Sequence, residues 1–434
     1  MLRVAVSLCG GESRELRRMT TLPTASARRP AVGFVFVTGV LIVLGWGIIS
    51  PVLPGLITEF EGGDAAAGAR TYGWILGSFA IMQFLGAPLL GVLSDRFGRR
   101  KVILVTLAGS ALDYLVMGWA PTIVWLFGAR VVSGFFGGAM STCNAYVADV
   151  TPPDRRAHGF GVLGAAFGIG FVLGPALGGF LGEVDLRLPF FVAAGAVALN
   201  WAYGALLLPE SLPADKRRAF SWRRANPVGG LSNLRRFPGI FGLAGVYFLS
   251  VFGTMMLHST WVLYTGYRYG WTPRQVGISL MLVGLSAIVV QGRLVGLLLP
   301  RIGEKRGLIL GLSITACVTI LYGLANEGWM IYPLICVGAL GGLTGPSVQT
   351  LITRKVPADE QGAVQGALAS LSSLATVFAP PIAAWSFAAC VGPAAIIHLP
   401  GIAFFEASAV VLMGLVLAVR SLRSAGSRGG PSGP

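Results

Sequence analysis

Charge is what this chain has least of. Only 12% of its 434 residues are Asp, Glu, Lys or Arg, against 54% hydrophobic residues and a mean hydropathy of +0.73. That balance excludes a soluble globular fold. Histidine is nearly missing, with three residues far apart in sequence. The five cysteines, Cys9, Cys143, Cys317, Cys336 and Cys390, lack metal-ligand spacing, and four of them lie in apolar runs and read as small core residues. Neither the phosphate loop G-x4-G-K-[ST] nor H-E-x-x-H occurs. The chain is therefore not read as an enzyme, no metal or cofactor is expected, and ATP-driven transport would need a separate subunit. The alternation of about ten residues per strand that marks a membrane β-barrel is also missing.

Apolar length is what the chain has in abundance. A helix crosses the hydrocarbon core in about 20 mostly apolar residues. Twelve such runs fall at 32–57, 72–93, 102–120, 122–147, 159–181, 189–208, 238–267, 275–299, 308–324, 328–352, 362–389 and 400–419. The fold class is thus all-α, with twelve transmembrane helices. The 62 glycines suit membrane helices that pack backbone to backbone. The formal charge of +15 is no nucleic-acid signal, because the cations sit in short loops between the runs. They set orientation. With both termini on the cytoplasmic side, the inner loops hold Arg96, Arg99, Arg100, Lys101, Arg155, Arg156, Arg301, Lys305, Arg306, Arg354 and Lys355, while the outer loops hold little besides Arg70, Arg187, Arg268 and Arg274. Trp119, Trp125, Trp271 and Trp329 fall near outer ends and suit an aromatic belt.

The basic loop at 209–237 divides six runs from six. The expected layout is a basic, disordered tail at 1–30, a six-helix bundle at 31–208, the central cytoplasmic loop at 209–237, a second bundle at 238–420 and a disordered tail at 421–434. Met19 offers an alternative start, and the run 4–9 is too short for a signal-peptide core, so the first helix is expected to insert uncleaved. A shift of 205 positions lays the second half on the first: Gly91 falls on Gly296, Arg96 on Arg301, Gly98 on Gly303, Pro152 on Pro357, Asp154 on Asp359, Gly161 on Gly366 and Pro175 on Pro380. Asp95 falls on Pro300, so the acid of that loop belongs to the first half alone.

That loop, residues 91–101, reads G-x-L-x-D-R-x-G-R-R. Gly91 lets a helix end approach its neighbour, Gly98 permits the bend, and Asp95 can cap a neighbouring helix or pair with Arg99. A generic stop-transfer loop is the plainer reading. In the fifth run, Gly170, Gly174 and Gly178 share one face at four-residue spacing beside Gly179, and Pro175 bends the helix. Ordinary small-residue packing would also produce such a stripe.

Two charges lie inside the membrane. Arg130 costs at least ~2.5 kcal/mol at a helix centre and calls for a partner. Asp113, balanced between desolvation and a nearby guanidinium, can load and release a proton as its surroundings alternate. A static Asp113–Arg130 pair joining two helices is the alternative. Glu406 is read as a solvated, snorkelling carboxylate and His258 as a core histidine or a proton carrier. Gln83, Asn144, Gln291, Gln349 and Gln365 are candidates to line a polar cavity, though any of them could instead join helices by hydrogen bonds.

The 91–101 spacing resembles the cytoplasmic loop signature of the major facilitator superfamily, and G-x8-G-x3-G-P-x2-G-G from Gly161 to Gly179 resembles the antiporter signature of its exporters. Leu112-Asp113-Tyr114, Ala148-Asp149-Val150-Thr151 with Arg156 and Phe160-Gly161, Leu208-Pro209-Glu210-Ser211 and Gly266-Tyr267-Arg268-Tyr269-Gly270-Trp271 narrow the match. Residues 34–389 resemble the tetracycline-resistance branch of drug:proton antiporters. The resemblance implies two six-helix bundles in a bacterial inner membrane that export small amphipathic or tetracycline-like molecules by proton-coupled alternating access. It further implies that Asp95, Arg99 and Arg156 control a cytoplasmic gate, that the bent fifth helix seals the bundle interface, and that Asp113 and Arg130 are needed for transport. The implied partners are a small-molecule substrate, protons and the bilayer, with the monomer as the working unit. The chain departs from that branch at Ile42, Ala287 and Thr315, where the drug exporters carry an aspartate, a histidine and an aspartate implicated in binding drug–metal chelates and in coupling. A facilitator or metabolite importer on the same scaffold is the alternative, and a non-transporting membrane receptor a weaker one.

Overall fold

The computed structural model describes residues 25–152, 155–222, 237, 240–357 and 360–427. Twelve helical spans among them are long and apolar enough to cross a membrane: Gly33–Phe60, Ala65–Phe97, Arg99–Trp119, Ile123–Val150, His158–Val184, Leu188–Leu207, Phe241–Tyr269, Pro273–Ile302, Glu304–Leu324, Gly328–Thr353, Gln361–Val391 and Ile402–Arg423. They are numbered here first to twelfth. The helix that carries the first span begins at Ala25, ahead of Pro30 and inside the segment expected to be a tail, and the helix of the twelfth runs on to Ser427. Alanine and arginine propagate an existing helix at little cost, which explains both extensions. Residues 1–24, 223–236 and 428–434, with the alternative start at Met19 and the Asp154–Asp359 correspondence, lie outside the described residues.

Proline and glycine shape the spans. The first breaks at the turn before Leu53–Phe60, where Pro51 lacks the N–H that the helix would need and Pro54 starts the next turn. Pro88, Pro175, Pro300 and the Pro380-Pro381 pair lie inside the second, fifth, eighth and eleventh spans. Asp64 caps the second span by accepting from the amides of Ala66 (2.8 Å) and Ala67 (3.1 Å). Thr272 and Gln275 form a capping box before the eighth.

Spans one to six and seven to twelve form two bundles that meet along two seams, second against eleventh and fifth against eighth. At the first seam a Cβ on Gly73 would lie 3.0 Å from that of Ala384 and one on Gly77 2.9 Å from Cγ of Pro381, while the Trp74 and Trp385 rings stand 4.6 Å apart. At the second seam a Cβ on Gly277 would lie 2.5 Å from the carbonyl of Pro175, and one on Gly179 2.5 Å from that of Pro273. Bare backbone at these points is what lets the bundles touch.

The fifth–eighth seam parts toward the end that carries Gly98 and Gly303. Gly168 still faces Ile288, whereas Gly164 and Gly161, on successive turns, and Gly292 and Gly296 opposite them have nothing within 4 Å. The bundles are closed at one end and splayed at the end richest in cations.

Candidate functional site

The basic turn comes first in the chain. Gly98 ends the second span at φ +101°, a backbone region that L side chains rarely adopt, and the third span starts at Arg99. Arg99 is nearly enclosed and works as a hub. Its Nη1 lies 2.7 Å from Asp95 Oδ1, its Nε donates to Asp149 Oδ2 at 3.2 Å, and the Ser94 hydroxyl accepts from it as well. One guanidinium thus ties the ends of the second, third and fourth spans together. Arg100 donates to the Ala205 carbonyl at 2.7 Å. Arg96 stacks against Phe97 at 5.1 Å. Arg156 opens the helix of the fifth span, is exposed, and makes no ion pair with the Arg99 hub among the described residues. Gly91 has open space before its Cα.

Glu210 is the residue that sequence reasoning missed. A cation at a helix N-terminus opposes the helix dipole, so Arg99 and Arg100 open the third span unfavourably. Glu210, from the start of the central loop, supplies the missing anion. Its Oε1 accepts from the amides of Arg99 (2.8 Å), Arg100 (3.5 Å) and Leu212 (3.1 Å), and its Oε2 lies 4.0 Å from Arg217. The carboxylate sits where a Cβ of residue 98 would be, which gives Gly98 a second reason to be glycine. Tyr146 donates to the Pro209 carbonyl (3.0 Å), Ser211 to Asp149 (3.2 Å) and the Arg218 amide to the Asp95 carbonyl (3.1 Å), so residues 209–218 lie clamped on the first bundle. The Leu208-Pro209-Glu210-Ser211 stretch was visible in the sequence, but nothing local to it names a helix end 111 residues away as its partner.

The fifth-span glycines divide their labour. Gly170, Gly174 and Gly178 pack on the carbonyls of Val40, Leu44 and Ile48, four residues apart on the first span. Gly179 faces the eighth span. Three of the four glycines therefore hold the first bundle together, and one serves the seam.

Asp113 and Arg130 are both buried, each 4% exposed, on the third and fourth spans. No direct ion pair joins them among the described residues. Both carboxylate oxygens of Asp113 and Nε of Arg130 are buried without a hydrogen-bond partner. The Arg130 guanidinium lies over the Phe79 ring at 5.6 Å and acts electrostatically on Asp113, Tyr72 and Tyr114.

Gln83, one helical turn on from Phe79, and Gly137, about two turns on from Arg130, enter the wall of a cleft of about 530 Å3 between the second, fourth and eleventh spans. Of the five amides expected in a polar cavity, Gln83 lines this one. Asn144, Gln291, Gln349 and Gln365 are exposed but are not in its wall. Gln291 lies in a π turn, Val290–Leu294, with the exposed Arg293, an intramembrane cation the sequence reading passed over. Glu406 is half-buried between the last two spans near Ser386, with Oε2 buried. His258 is exposed by its accessible surface. Among the described residues no group of three or more His, Cys, Asp or Glu is placed to hold a metal ion.

Residues 35–380 match the model of the Major Facilitator Superfamily. The class C tetracycline resistance protein of Escherichia coli is 37% identical over 352 residues, covering 81% of this chain and 88% of that protein. The class G protein of Vibrio anguillarum is 34% identical over 353 residues, covering 81% and 89%. The crystal structure of the human organic anion transporter MFSD10 (TETRAN) is similar with a TM-score of 0.65 at 26% identity, over 90% of this chain and 99% of that one. Twelve spans in two bundles, the seams between them and these matches lead to one assignment: the chain belongs to the Major Facilitator Superfamily and is a secondary transporter of small molecules.

Proposed function

We propose that this transporter exports small amphipathic, tetracycline-like molecules across the bacterial inner membrane, coupling efflux to proton entry by alternating access, with both termini cytoplasmic and the monomer as the working unit. The observation that carries the reading is the buried Asp113 carboxyl held near Ser133 and Arg130 of the fourth span, the span that also lines an open cleft. A carboxyl so placed changes its preference for a proton when water gains or loses access to it, and Arg130 supplies the opposing charge. The splayed, cation-rich end faces the cytoplasm by the positive-inside rule, so this conformation admits substrate from inside. Asp95, Arg99 and Asp149, with Gly91, Arg96, Gly98, Arg100 and Arg156 around them, act as the gate at that end. The names of the tetracycline resistance relatives support export.

Asp113→Asn should lower gradient-driven uptake into inverted vesicles about tenfold or more, the scale on which removing a proton-transfer group is felt. Unchanged uptake would remove Asp113 from the coupling path. The alternative, a facilitator or metabolite importer, is favoured by Ile42, Ala287 and Thr315. Collapsing the proton gradient separates the two, because a facilitator would still equilibrate its substrate.

A further inference from the structure

The cleft between the second, fourth and eleventh spans is lined by both apolar and polar side chains. Ala80, Phe84, Ala87 and Pro88 of the second span and Met140 of the fourth are apolar. Gln83 of the second span, Ser141 of the fourth and Ser373 and Thr376 of the eleventh are polar, and each of these has already committed a donor to a backbone carbonyl. Ser373 donates to Ala369 (3.0 Å), Thr376 to Ser372 (3.0 Å), Ser141 to Gly138 (2.7 Å) and the Gln83 amide nitrogen to Gly137 (3.3 Å). A hydroxyl has one hydrogen and two lone pairs, so once the hydrogen is spent only acceptors remain. The Gln83 carbonyl adds another acceptor, leaving Ser372 and one Gln83 hydrogen as the donors of the wall.

No charged side chain is among the residues that line the cleft. Arg130 lies behind Phe79, and Arg293 is on the eighth span, outside this wall. An ammonium group would find no counter-charge in this wall, and a carboxylate would face lone pairs. An uncharged molecule with hydrogen-bond donors meets neither cost.

We propose that the cleft binds an uncharged amphipathic molecule within about 530 Å3 that gains affinity with each hydrogen-bond donor it presents to the Ser373–Thr376 wall of the eleventh span and lays an apolar face on Phe84, Ala87 and Pro88 of the second. The inference rests on the transporter reading and names the substrate class for it: neutral donors, not cations or anions.

Thiamphenicol and florfenicol test this directly, being neutral and closely matched except that a fluorine replaces one hydroxyl in the second. Binding to the purified full chain in nanodiscs, read by calorimetry without any gradient, should favour thiamphenicol about fivefold, the equivalent of one net hydrogen bond. In Ser373→Ala/Thr376→Val that preference should fall to about twofold or less, since the acceptors are gone. Gln83→Glu, which adds a counter-charge, should gain binding of the cation ethidium that the unmodified chain lacks. Equal affinity for the two amphenicols, no binding of either, or tighter binding of ethidium or the anion anilinonaphthalene sulfonate by the unmodified chain would each overturn the proposal. Retained thiamphenicol preference with no gradient-driven flux in proteoliposomes would instead overturn the exporter reading and leave the binding assignment standing.

Discussion

The two bundles share a backbone plan and differ in where they keep their charge. Gly98 and Gly303, equivalent under the 205-residue shift, both end a span at positive φ, +101° and +77°, with ψ of 151° and 154°. The same shift lays Arg99 on Glu304 and Asp149 on Arg354. Both pairs form ion bridges, but with the signs exchanged: Arg99 donates to Asp149 at 3.2 Å, while Arg354 grips Glu304 with two bonds of 2.6 and 3.1 Å. Deeper in the membrane Asp113 and Arg130 fall on Val318 and Ile335, both buried. Duplication has kept the geometry of the turn, while among the described residues the charged side chains buried as a whole, Arg99, Asp113 and Arg130, all lie in the first bundle. The sign exchange also explains Glu210: the ninth span opens on an acid that suits the helix dipole, whereas the third opens on arginines and borrows its acid from the linker.

The largest break in this comparison is expected at the buried level. Arg130→Leu should lower transport about tenfold or more, because Asp113 would then lose the opposing charge that Arg130 supplies. Ile335→Leu, at the equivalent site, exchanges isomers of equal volume and should stay within about twofold, given a packing cost below ~1.5 kcal/mol. Vesicle flux on matched amounts of folded protein reads both, and equal losses would mean that the second bundle shares in coupling.

The turn glycines come next. Alanine at 98 or 303 incurs about 1–3 kcal/mol of backbone strain. Gly303 has open space around it, so strain is the whole cost there. At Gly98 the new methyl also evicts Glu210, adding about 1 kcal/mol for a lost helix cap. Glu210→Gln should therefore destabilise the parent chain but add little on top of Gly98→Ala. Thermal unfolding of the single and double variants measures this, and full additivity would separate Glu210 from Gly98.

Smaller still is the difference at the acid. Asp95→Asn weakens one of the three contacts of Arg99 and should slow cycling several-fold, about 1–2 kcal/mol for a charge-assisted hydrogen bond. Pro300→Ala should leave flux nearly unchanged. Equal effects would count against a latch confined to the first bundle.

Much of this was legible in the sequence, for reasons visible in particular residues. Span number follows from apolar length, and the repeat from a single offset carried by glycines and prolines whose backbone roles admit few substitutes. The Asp95–Arg99 contact lies within one helical turn. Partners across long loops were not legible, because a helix face states what it needs but not which neighbour provides it. Glu210 is 111 residues from the amide it caps. Gly179 looks like Gly178 in sequence and differs only in the helix it faces. Gln83 reached the cleft wall and four other amides did not, a distinction that periodicity does not encode.

The exchanged ion pairs offer the finest division between the bundles. Arg354 is largely exposed, with a side chain 65% accessible, so its bridge to Glu304 is discounted for solvent and contributes at most about 1 kcal/mol. It is an isolated pair, with Pro300 standing where Asp95 stands in the first bundle. Reversing it with Glu304→Arg and Arg354→Glu should therefore recover most of the stability that either single change loses, less a small cost for placing a cation at a helix N-terminus. The matching reversal in the first bundle, Arg99→Glu with Asp149→Arg, should not recover it. Asp95 and Glu210 would then face a new acid at residue 99, and like charges would sit where opposite ones had been. Thermal unfolding of both double-mutant cycles reads the coupling. Rescue in the second bundle with none in the first is expected, and rescue in both would reduce the Arg99 hub to a simple pair.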